Sequence, residues 1–481
     1  MGCLWTSEDV AIAIGSKKIG TWRAFGISTD TRTLKKGDIF FAISGKRDGN
    51  EYVETAFKLG AAAAIVSRAP RKWSKAQPVL IVQDVINALS AMASFAVNRS
   101  SASVIAITGS VGKTSSKDMM AFALRDFGKV HKAEKSFNNH IGVPLTLASA
   151  PADSDFIVVE IGMSNRGEIL PLSLLASPHV VLITNVSAAH LSSLKNVNEI
   201  AREKSDICRG LRQPRIAVIS RDSECFLELL RNVKKHSKSV LTFGEKGSPH
   251  YKLIKTVSKR NTTCAQIAMP GGITFYFKVN SPGKHNAVNA LGVLVVLSAL
   301  KLDIAKGILA IADWWPTVGR GSLTEIICET RLLNGIISVI DETYNANPKS
   351  MEAAIDTLSN FEHLGEVGVR NKMIRRVAII GDMLELGTEE NRKHEKLVEK
   401  LNLSNVDLVH CIGHRMKFLY NKLPISIKGK WYATVDEMIP RLHSLVRVND
   451  AIMLKASNDM GLHKLKVELT KLGKNQKKRR L

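Results

Sequence analysis

The run TGSVGKTS, residues 108–115, has the residue types a phosphate group needs. Gly109 and Gly112 let backbone amides approach phosphate oxygens, with Ser110 and Val111 between them. Lys113 would sit on the β- and γ-phosphates, Thr114 on Mg²⁺, and Ser115 in the first turn of the following helix. An apolar strand, residues 104–108, precedes the run, and the helical pattern KTSSKDMMAFALRDF follows it. That strand–loop–helix context is what a phosphate-binding loop requires. The spacing is GxxGKT, two residues shorter between the glycines than GxxxxGKT, because Ile107 occupies the usual first-glycine position. An ATP or GTP site is expected, and the loop alone leaves the reaction open.

Other polar residues stand where parallel strands end. Glu160 closes the strand of residues 156–161, where the phosphates would lie, and can hold Mg²⁺ directly or through water. His190 follows the strand of residues 180–184 in a loop. Asn286 and Asn289 are three apart and share a helix face, and their amides suit an adenine edge. Arg320 follows the Trp315-Pro316 junction, a hinge from which a guanidinium could reach the γ-phosphate when domains close. Glu342 and Asp382 end two strands of the last third of the chain. Arg32 could grip a diphosphate as a bidentate donor, or close a structural turn with Asp30. Lys204, in EIAREKSDICRGL, reads from spacing alone as a solvated lysine on a charged helix.

The elements that must position these groups fall into three zones. A chain of 481 residues suggests about three domains at roughly 150 residues each. Residues 1–100 carry strand-rich segments at 37–45 and 61–67 and a helix over 85–97, and NRSSAS (98–103) reads as a linker. Residues 101–316 add strands at 104–108, 156–161, 180–184 and 216–220, mostly separated by helical patterns. Continuous apolar strands alternating with helices predict a parallel sheet covered on both faces. Residues 317–481 repeat the habit at 338–343, 376–382, 408–413 and 451–457. The expected fold is α/β: a small N-terminal α/β domain, a central P-loop domain with a parallel sheet, and a C-terminal dinucleotide-fold-like domain. Ligands then belong in the clefts at strand C-terminal ends.

Composition narrows the classes. With 45% hydrophobic and 23% charged residues, wholesale disorder is excluded. The longest apolar run, residues 290–300, is too short for a membrane span. The N-terminus has no basic region leading into an apolar one, so the expected location is the cytoplasm. Six scattered cysteines form no CxxC and read as reduced thiols. The net charge of +24 suits either nucleic acid or a polyanionic small substrate. It is spread along the chain and condenses only in a tail at Lys474, Lys477, Lys478, Arg479 and Arg480. No RNP, KH, zinc-finger or basic-zipper pattern is present, so nucleic acid is not an expected partner.

The shortened phosphate loop resembles the ATP loop of the Mur ligases, the amide-forming enzymes of peptidoglycan precursor synthesis. SFNNHIGVPLTL (136–147), with Asn138 and Asn139, resembles the NNxxGxP segment of the MurF type. VVEIGMSNRGEI (158–169), ITNVSAAHL (183–191), GKHNAVNAL (283–291) and IIGDMLELG (379–387) are similar to further segments, in order. IDETYNANPKSM (340–351) carries YNANP, the element most specific to that type, and the DNPR motif of the diamino-acid-adding type is missing. The resemblance spans nearly the whole chain.

It implies site residues that spacing alone does not. Thr31, Arg32, Gly45, Asp48 and Gly49, in residues 28–50, would hold a UDP-sugar. Asn138, Asn139, Tyr344, Asn345 and Asn347 would meet the peptide and acceptor, and Glu342 and Asp382 would face the nucleotide across the cleft, Asp382 at the ribose. Glu160, Thr114, His190 and Lys204 would serve two Mg²⁺ ions, with Lys204 carbamylated by CO₂. Lys204-Ser205-Asp206-Ile207 stands where the family reads KGEI. Lys455-Ala456-Ser457 stands for KGS, and alanine excludes an easy positive φ there. The implied reaction is ATP-dependent joining of D-Ala-D-Ala to UDP-MurNAc-tripeptide, by a monomer, with Lys113, His190, Lys204 and Arg320 as the catalytic set. Another Mur- or folate-type ligase is the nearest rival and would take an acidic amino-acid acceptor. A P-loop ATPase stimulated by nucleic acid is the rival from another class. A catalytically silent nucleotide binder is disfavoured by the intact Lys113, Glu160, His190 and Lys204.

Overall fold

The computed structural model describes residues 2–45, 47–74, 76–187, 194, 196–259, 261–329, 334–362 and 374–475; His190 and the basic residues 477–480 lie outside this set. The N-terminal unit is a four-stranded parallel sheet in the order Gly26–Ser28, Asp38–Phe41, Ala63–Val66, Val79–Ile81. The helix Val85–Arg99 closes it. It runs two residues beyond the expected end and into the expected linker. Arg99 explains the extension: its guanidinium donates to Leu4 O at 2.8 Å and stacks 4.1 Å from the Trp5 ring centroid. Trp5 Nε1 in turn donates to Ala148 O at 2.9 Å, in the helix Gly142–Ala148. The apolar core therefore runs unbroken from the N-terminal unit into the central one.

The central sheet has nine strands. Ser103–Thr108 lies inside it, flanked by Phe156–Glu160 and Val130–Lys132 on one side. Val180–Ile183, Ile216–Ser220, Ser239–Gly244 and Tyr251–Lys259 lie on the other. All seven are parallel. Thr262–Ala268 and Thr274–Val279 then continue the sheet antiparallel, an extension the sequence reading did not contain. Strand period two sorts the side chains of Ser103–Thr108: Val104 and Ala106 enter one core, Ile105 and Ile107 the other. The chain leaves this strand to both sides of the sheet, so its C-terminal end is a topological switch point, where ligands bind in such folds.

The C-terminal sheet has seven strands, in the order Lys428–Tyr432, Leu408–Ile412, Arg375–Gly381, Asp450–Lys455, Asn334–Glu342, Ser322–Glu329, Lys474–Asn475. The first five are parallel, and the last two pair antiparallel. Ala456 follows the strand Asp450–Lys455 and is not among the positive-φ residues. Its methyl group fills space that Gly381 leaves: a Cβ on Gly381 would stand 2.8 Å from it. Alanine is thus accommodated without strain. All six cysteines are free. Among the described residues no helix is long and apolar enough to cross a membrane.

Candidate active site

The phosphate loop is shaped by the strand beside it. Gly109 (φ 154°) and Gly112 (φ 82°) both need glycine, for space as well as conformation. A Cβ on Gly109 would meet Thr184 Oγ1 at 2.0 Å, and one on Gly112 would meet Asn289 Oδ1 at 2.5 Å. Ser110 N–H donates to Asn185 O at 2.7 Å, Ser110 Oγ to Ser187 O at 2.9 Å, and Thr184 Oγ1 to Val111 O at 2.6 Å. The TN segment after Val180–Ile183 therefore holds the loop open before the helix Lys113–Leu124 begins. Lys113 Nζ curls back to Gly109 O at 2.7 Å. Burial lowers its pKa, Glu160 opposes that, and Arg320 adds to it.

Beside the loop sits a set of hard oxygen donors. Thr114 Oγ1 donates to Glu160 Oε2 at 2.7 Å, and Asn138 Nδ2 to Glu160 Oε1 at 2.7 Å. Ser136 Oγ reaches both carboxylate oxygens at 3.2 and 3.3 Å. One carboxylate and two hydroxyls next to a phosphate cradle fit Mg²⁺, which takes oxygen ligands and keeps waters and substrate phosphates in its shell. Among the described residues no group of three or more His, Cys, Asp or Glu gathers as a metal site, so an ion here would rest on one carboxylate, hydroxyls, waters and phosphates.

The third wall comes from the C-terminal domain. Asp341 pins the hinge by accepting from Gly319 N at 3.0 Å, and its backbone oxygen accepts from Gly321 N. Between those two glycines Arg320 is aimed across the junction. Its guanidinium donates to Ser136 Oγ at 3.2 Å and stacks 3.7 Å from the Tyr344 ring centroid. A cleft of 1040 Å³ results, bounded by the phosphate loop on one side and by Glu342, Tyr344, Asn345 and Asn347 on the other.

The candidate residues divide as follows. Ser110 to Ser115, Asn138, Glu160, Asn289, Arg320, Glu342, Tyr344, Asn345 and Asn347 all line this cleft. Asn286 does not: 1% exposed, it donates to Ser281 Oγ and Pro282 O and fastens the start of the helix Lys284–Ala299. Asn139 caps the helix Gly142–Ala148 by accepting from Gly142 N at 2.9 Å. Asp382, 3% exposed, accepts from Met416 N at 2.8 Å and so caps the helix Met416–Lys422. Asn347 lines the cleft and also closes a capping box with Ser350.

Lys204 is 1% exposed, not solvated. Burial lowers its pKa well below the ordinary lysine value, and the nearby charge of Lys113 pushes the same way, with Glu203 opposing. The charge pattern of its helix hid this, because the helix turns Lys204 inward while Arg202 faces out to Glu228 at 2.8 Å.

In the N-terminal unit Arg32 pairs with Asp30 at 2.5 Å and is 87% exposed. Hydrogen bonds from Arg32 first, and more weakly the charge of Lys135, draw the Asp30 pKa down to about 2. Asp48 accepts from Asn50 N at 3.0 Å and caps the short turn Gly49–Tyr52. Gly49 is required there, since a Cβ would stand 2.5 Å from Ile43 O. Gly45 N–H donates to Arg47 O at 3.0 Å across that loop.

Among the cleft residues that the sequence reading did not choose, Ser136, His285 and Lys455 make polar contacts at the domain junction. His285 precedes the chosen Asn286 and Ser136 stands two before the chosen Asn138, and that proximity was the available signal; Lys455 lies in the KAS segment, from which no site residue was chosen. His285 Nε2 stands 3.9 Å from Glu342 Oε1 across the junction, and Lys455 Nζ donates to Asn345 O at 2.9 Å.

Two family models match this chain, the Mur ligase middle domain over residues 107–297 and the "Mur ligase, glutamate ligase domain" over 324–458. A UDP-N-acetylmuramoyl-tripeptide–D-alanyl-D-alanine ligase of Rickettsia prowazekii is 32% identical over 468 residues, 96% of this chain and 99% of that one. The enzyme of the same name from Bacillus subtilis is 30% identical, covering 92% and 93%. The crystal structure of MurF from Acinetobacter baumannii superposes with a TM-score of 0.83 at 24% identity, over 97% of this chain and 99% of that one. This last likeness is one of fold.

Proposed function

This chain belongs to the Mur ligase family, and from that premise we infer that it is an ATP-dependent ligase of the MurF type, joining D-Ala-D-Ala to UDP-MurNAc-tripeptide in peptidoglycan synthesis. The observation that carries the reading is the facing of the phosphate loop and the Tyr344–Asn347 segment across one cleft, with Arg320 stacked on Tyr344 and bonded to Ser136 of the central domain. The place of action is the cytoplasm, where ATP and nucleotide-activated precursors coexist, and the acting unit is a monomer.

The reaction has two steps. The terminal carboxylate of the tripeptide attacks the γ-phosphorus of ATP, a P–O bond forms, and the β–γ bridge breaks to release ADP. The dipeptide amine then attacks the acyl phosphate carbon, loses a proton, and expels inorganic phosphate. The protein contributes positioning and charge more than covalent chemistry. Lys113 and the loop amides hold the β- and γ-phosphates, and Arg320 brings a second cation from the opposite domain. Thr114, Glu160 and His190 would hold Mg²⁺, which offsets charge on the transferring phosphoryl group. Asn289, which lies against Gly112 of the phosphate loop, would offer its amide to the nucleotide, and Tyr344, Asn345 and Asn347 would offer neutral donors and acceptors to a small zwitterionic dipeptide. Thr31, Arg32, Gly45, Asp48 and Gly49 serve the UDP-sugar end.

Lys204 fits a further role. The neutral amine is the form that adds CO₂, and burial beside Lys113 favours that form. The carbamate anion would then help to orient a second Mg²⁺. A rise in activity of Lys204→Ala on adding short carboxylates supports this role; no rise refutes it.

The test of the main reading is phosphate release with UDP-MurNAc-tripeptide. It should require D-Ala-D-Ala and should not be supported by free meso-diaminopimelate, lysine or glutamate. Comparable turnover with any of these would point to another member of the family.

A further inference from the structure

The helix Lys113–Leu124 carries a second lysine one turn after the phosphate-binding one. Lys117 is 0% exposed, one of the largest fully buried side chains in the molecule. Its Nζ donates to Ala133 O and to Lys135 O, each at 3.0 Å, and stands 3.5 Å from Asp118 Oδ1. An ammonium has three N–H donors and no acceptor; two carbonyl oxygens take two of them here, and the Asp118 carboxylate stands by as an ion-pair partner. Asp118 is held in turn by Lys132 Nζ at 2.7 Å. Burying an ammonium is costly, and an apolar side chain of similar length would fill the same space without that cost. What the charge holds therefore matters more than the volume it fills.

It holds residues 133–135, irregular backbone that follows the strand Val130–Lys132 and leads directly into Ser136 and Asn138. Those two side chains grip Glu160, and Ser136 also receives Arg320. Past them the backbone is tied again, Gly162 N–H donating to Asn138 O at 2.8 Å. The buried ammonium fastens the stretch between these anchors.

We propose that Lys117 is a positioning residue for the divalent-cation site: by holding the carbonyls of Ala133 and Lys135, it sets Ser136 and Asn138 against Glu160 and gives the carboxylate one fixed orientation. The proposal rests on the reading of Thr114 and Glu160 as cation ligands. Groups that orient a ligand from behind typically change metal affinity by about 10–100-fold when removed.

The test uses the full chain with ADP and Mn²⁺ as probes. Mn²⁺ binding to the ADP complex is read by electron paramagnetic resonance, ADP binding in EDTA by calorimetry, and amide exchange over residues 133–138 by mass spectrometry. Lys117→Met should weaken Mn²⁺ binding about tenfold or more and speed exchange in that segment. It should leave metal-free ADP affinity within about twofold, because Lys113 and the loop amides are untouched. Lys117→Gln, which can keep one carbonyl bond, should fall between, and it carries the test if the methionine variant does not fold. A folded variant with unchanged Mn²⁺ affinity overturns the proposal, even if exchange rises. Parallel loss of metal-free ADP binding also overturns it, since Lys117 would then support the phosphate loop itself. Wild-type protein that binds no Mn²⁺ with ADP would instead refute the cation-site reading, before any variant is made.

Discussion

Replacing Arg320 with alanine tests whether the cleft works as one site built from two domains. The guanidinium makes one contact across the junction, a hydrogen bond to Ser136 Oγ at 3.2 Å, and is held in place for it by a stack on Tyr344 of its own domain at 3.7 Å. A hydrogen bond from a charged donor contributes about 1.5–3 kcal/mol, and a partly desolvated cation–π stack about 0.5–2 kcal/mol. Only the first joins the two domains, so its loss weakens closure of the C-terminal domain onto the central one by roughly 1.5–3 kcal/mol, while loss of the stack frees the side chain within its own domain. A preorganised donor at developing transition-state charge is worth a similar amount, about 3–4 kcal/mol. At about 1.4 kcal/mol per tenfold, Arg320→Ala should lower kcat/KM for ATP by roughly 10²–10³. Arg320→Lys keeps a charge but not the planar fork, and should recover about tenfold of that loss. The assay is phosphate release at fixed UDP-MurNAc-tripeptide and D-Ala-D-Ala, with a thermal melt showing that each variant is folded. A folded alanine variant within about threefold of wild type would refute the argument, because neither contact would then bear on phosphoryl transfer.

Gly112→Ala puts a methyl group 2.5 Å from Asn289 Oδ1 at φ 82°, so nucleotide binding should weaken more than about tenfold while the melting temperature moves little. Adding Asn289→Ala relieves the clash but not the backbone strain, so calorimetry with ADP should show only partial recovery. Asn347→Ala removes a capping box and should cost about 1 kcal/mol of stability. Asn347→Ser keeps the cap, so a raised KM for D-Ala-D-Ala with unchanged KM for ATP and unchanged melting would isolate its role toward the acceptor. Several buried histidines make stability pH-dependent, and two of them have the lowest values. His179 and His410 each accept a backbone N–H at Nδ1, from Val104 and Lys430, and burial first, then nearby arginine, lowers both pKa values to about 4. The unfolded chain takes up these protons near the ordinary value of about 6.5, so this stability is whole above that pH and is lost as pH falls toward 4. Melting temperature should drop between pH 7 and pH 5, and His179→Asn with His410→Asn should flatten that slope; an unchanged slope would refute the assignment.

What could be read without coordinates was what short stretches of chain dictate. The phosphate loop needs glycine at two positions, a lysine and a hydroxyl in a row, and an apolar strand before them, and all of that is contiguous in residues 104–115. Parallel strands buried on both faces are continuous apolar runs, so Ser103–Thr108, Phe156–Glu160 and Val180–Ile183 were legible, and with them the α/β class. The edge strands from Tyr251 to Val279 were not, because half of each faces solvent and their polar positions read as loop. Which way a polar side chain points depends on what packs against it. Asn286 and Asn289 share a helix face by spacing, yet one fastens Ser281 and Pro282 while the other meets the phosphate loop. Asp382 ends its strand as expected and is taken by the helix Met416–Lys422, which no local pattern announces. Lys117 and Lys204 sit in charged-looking helices, and only the packing of neighbouring segments shows both to be buried. The bond from Arg320 to Ser136 joins residues 184 apart in sequence. Composition and local propensity act over a few residues, and bringing such distant groups within hydrogen-bonding distance is the work of the assembled sheets and the hinge between them.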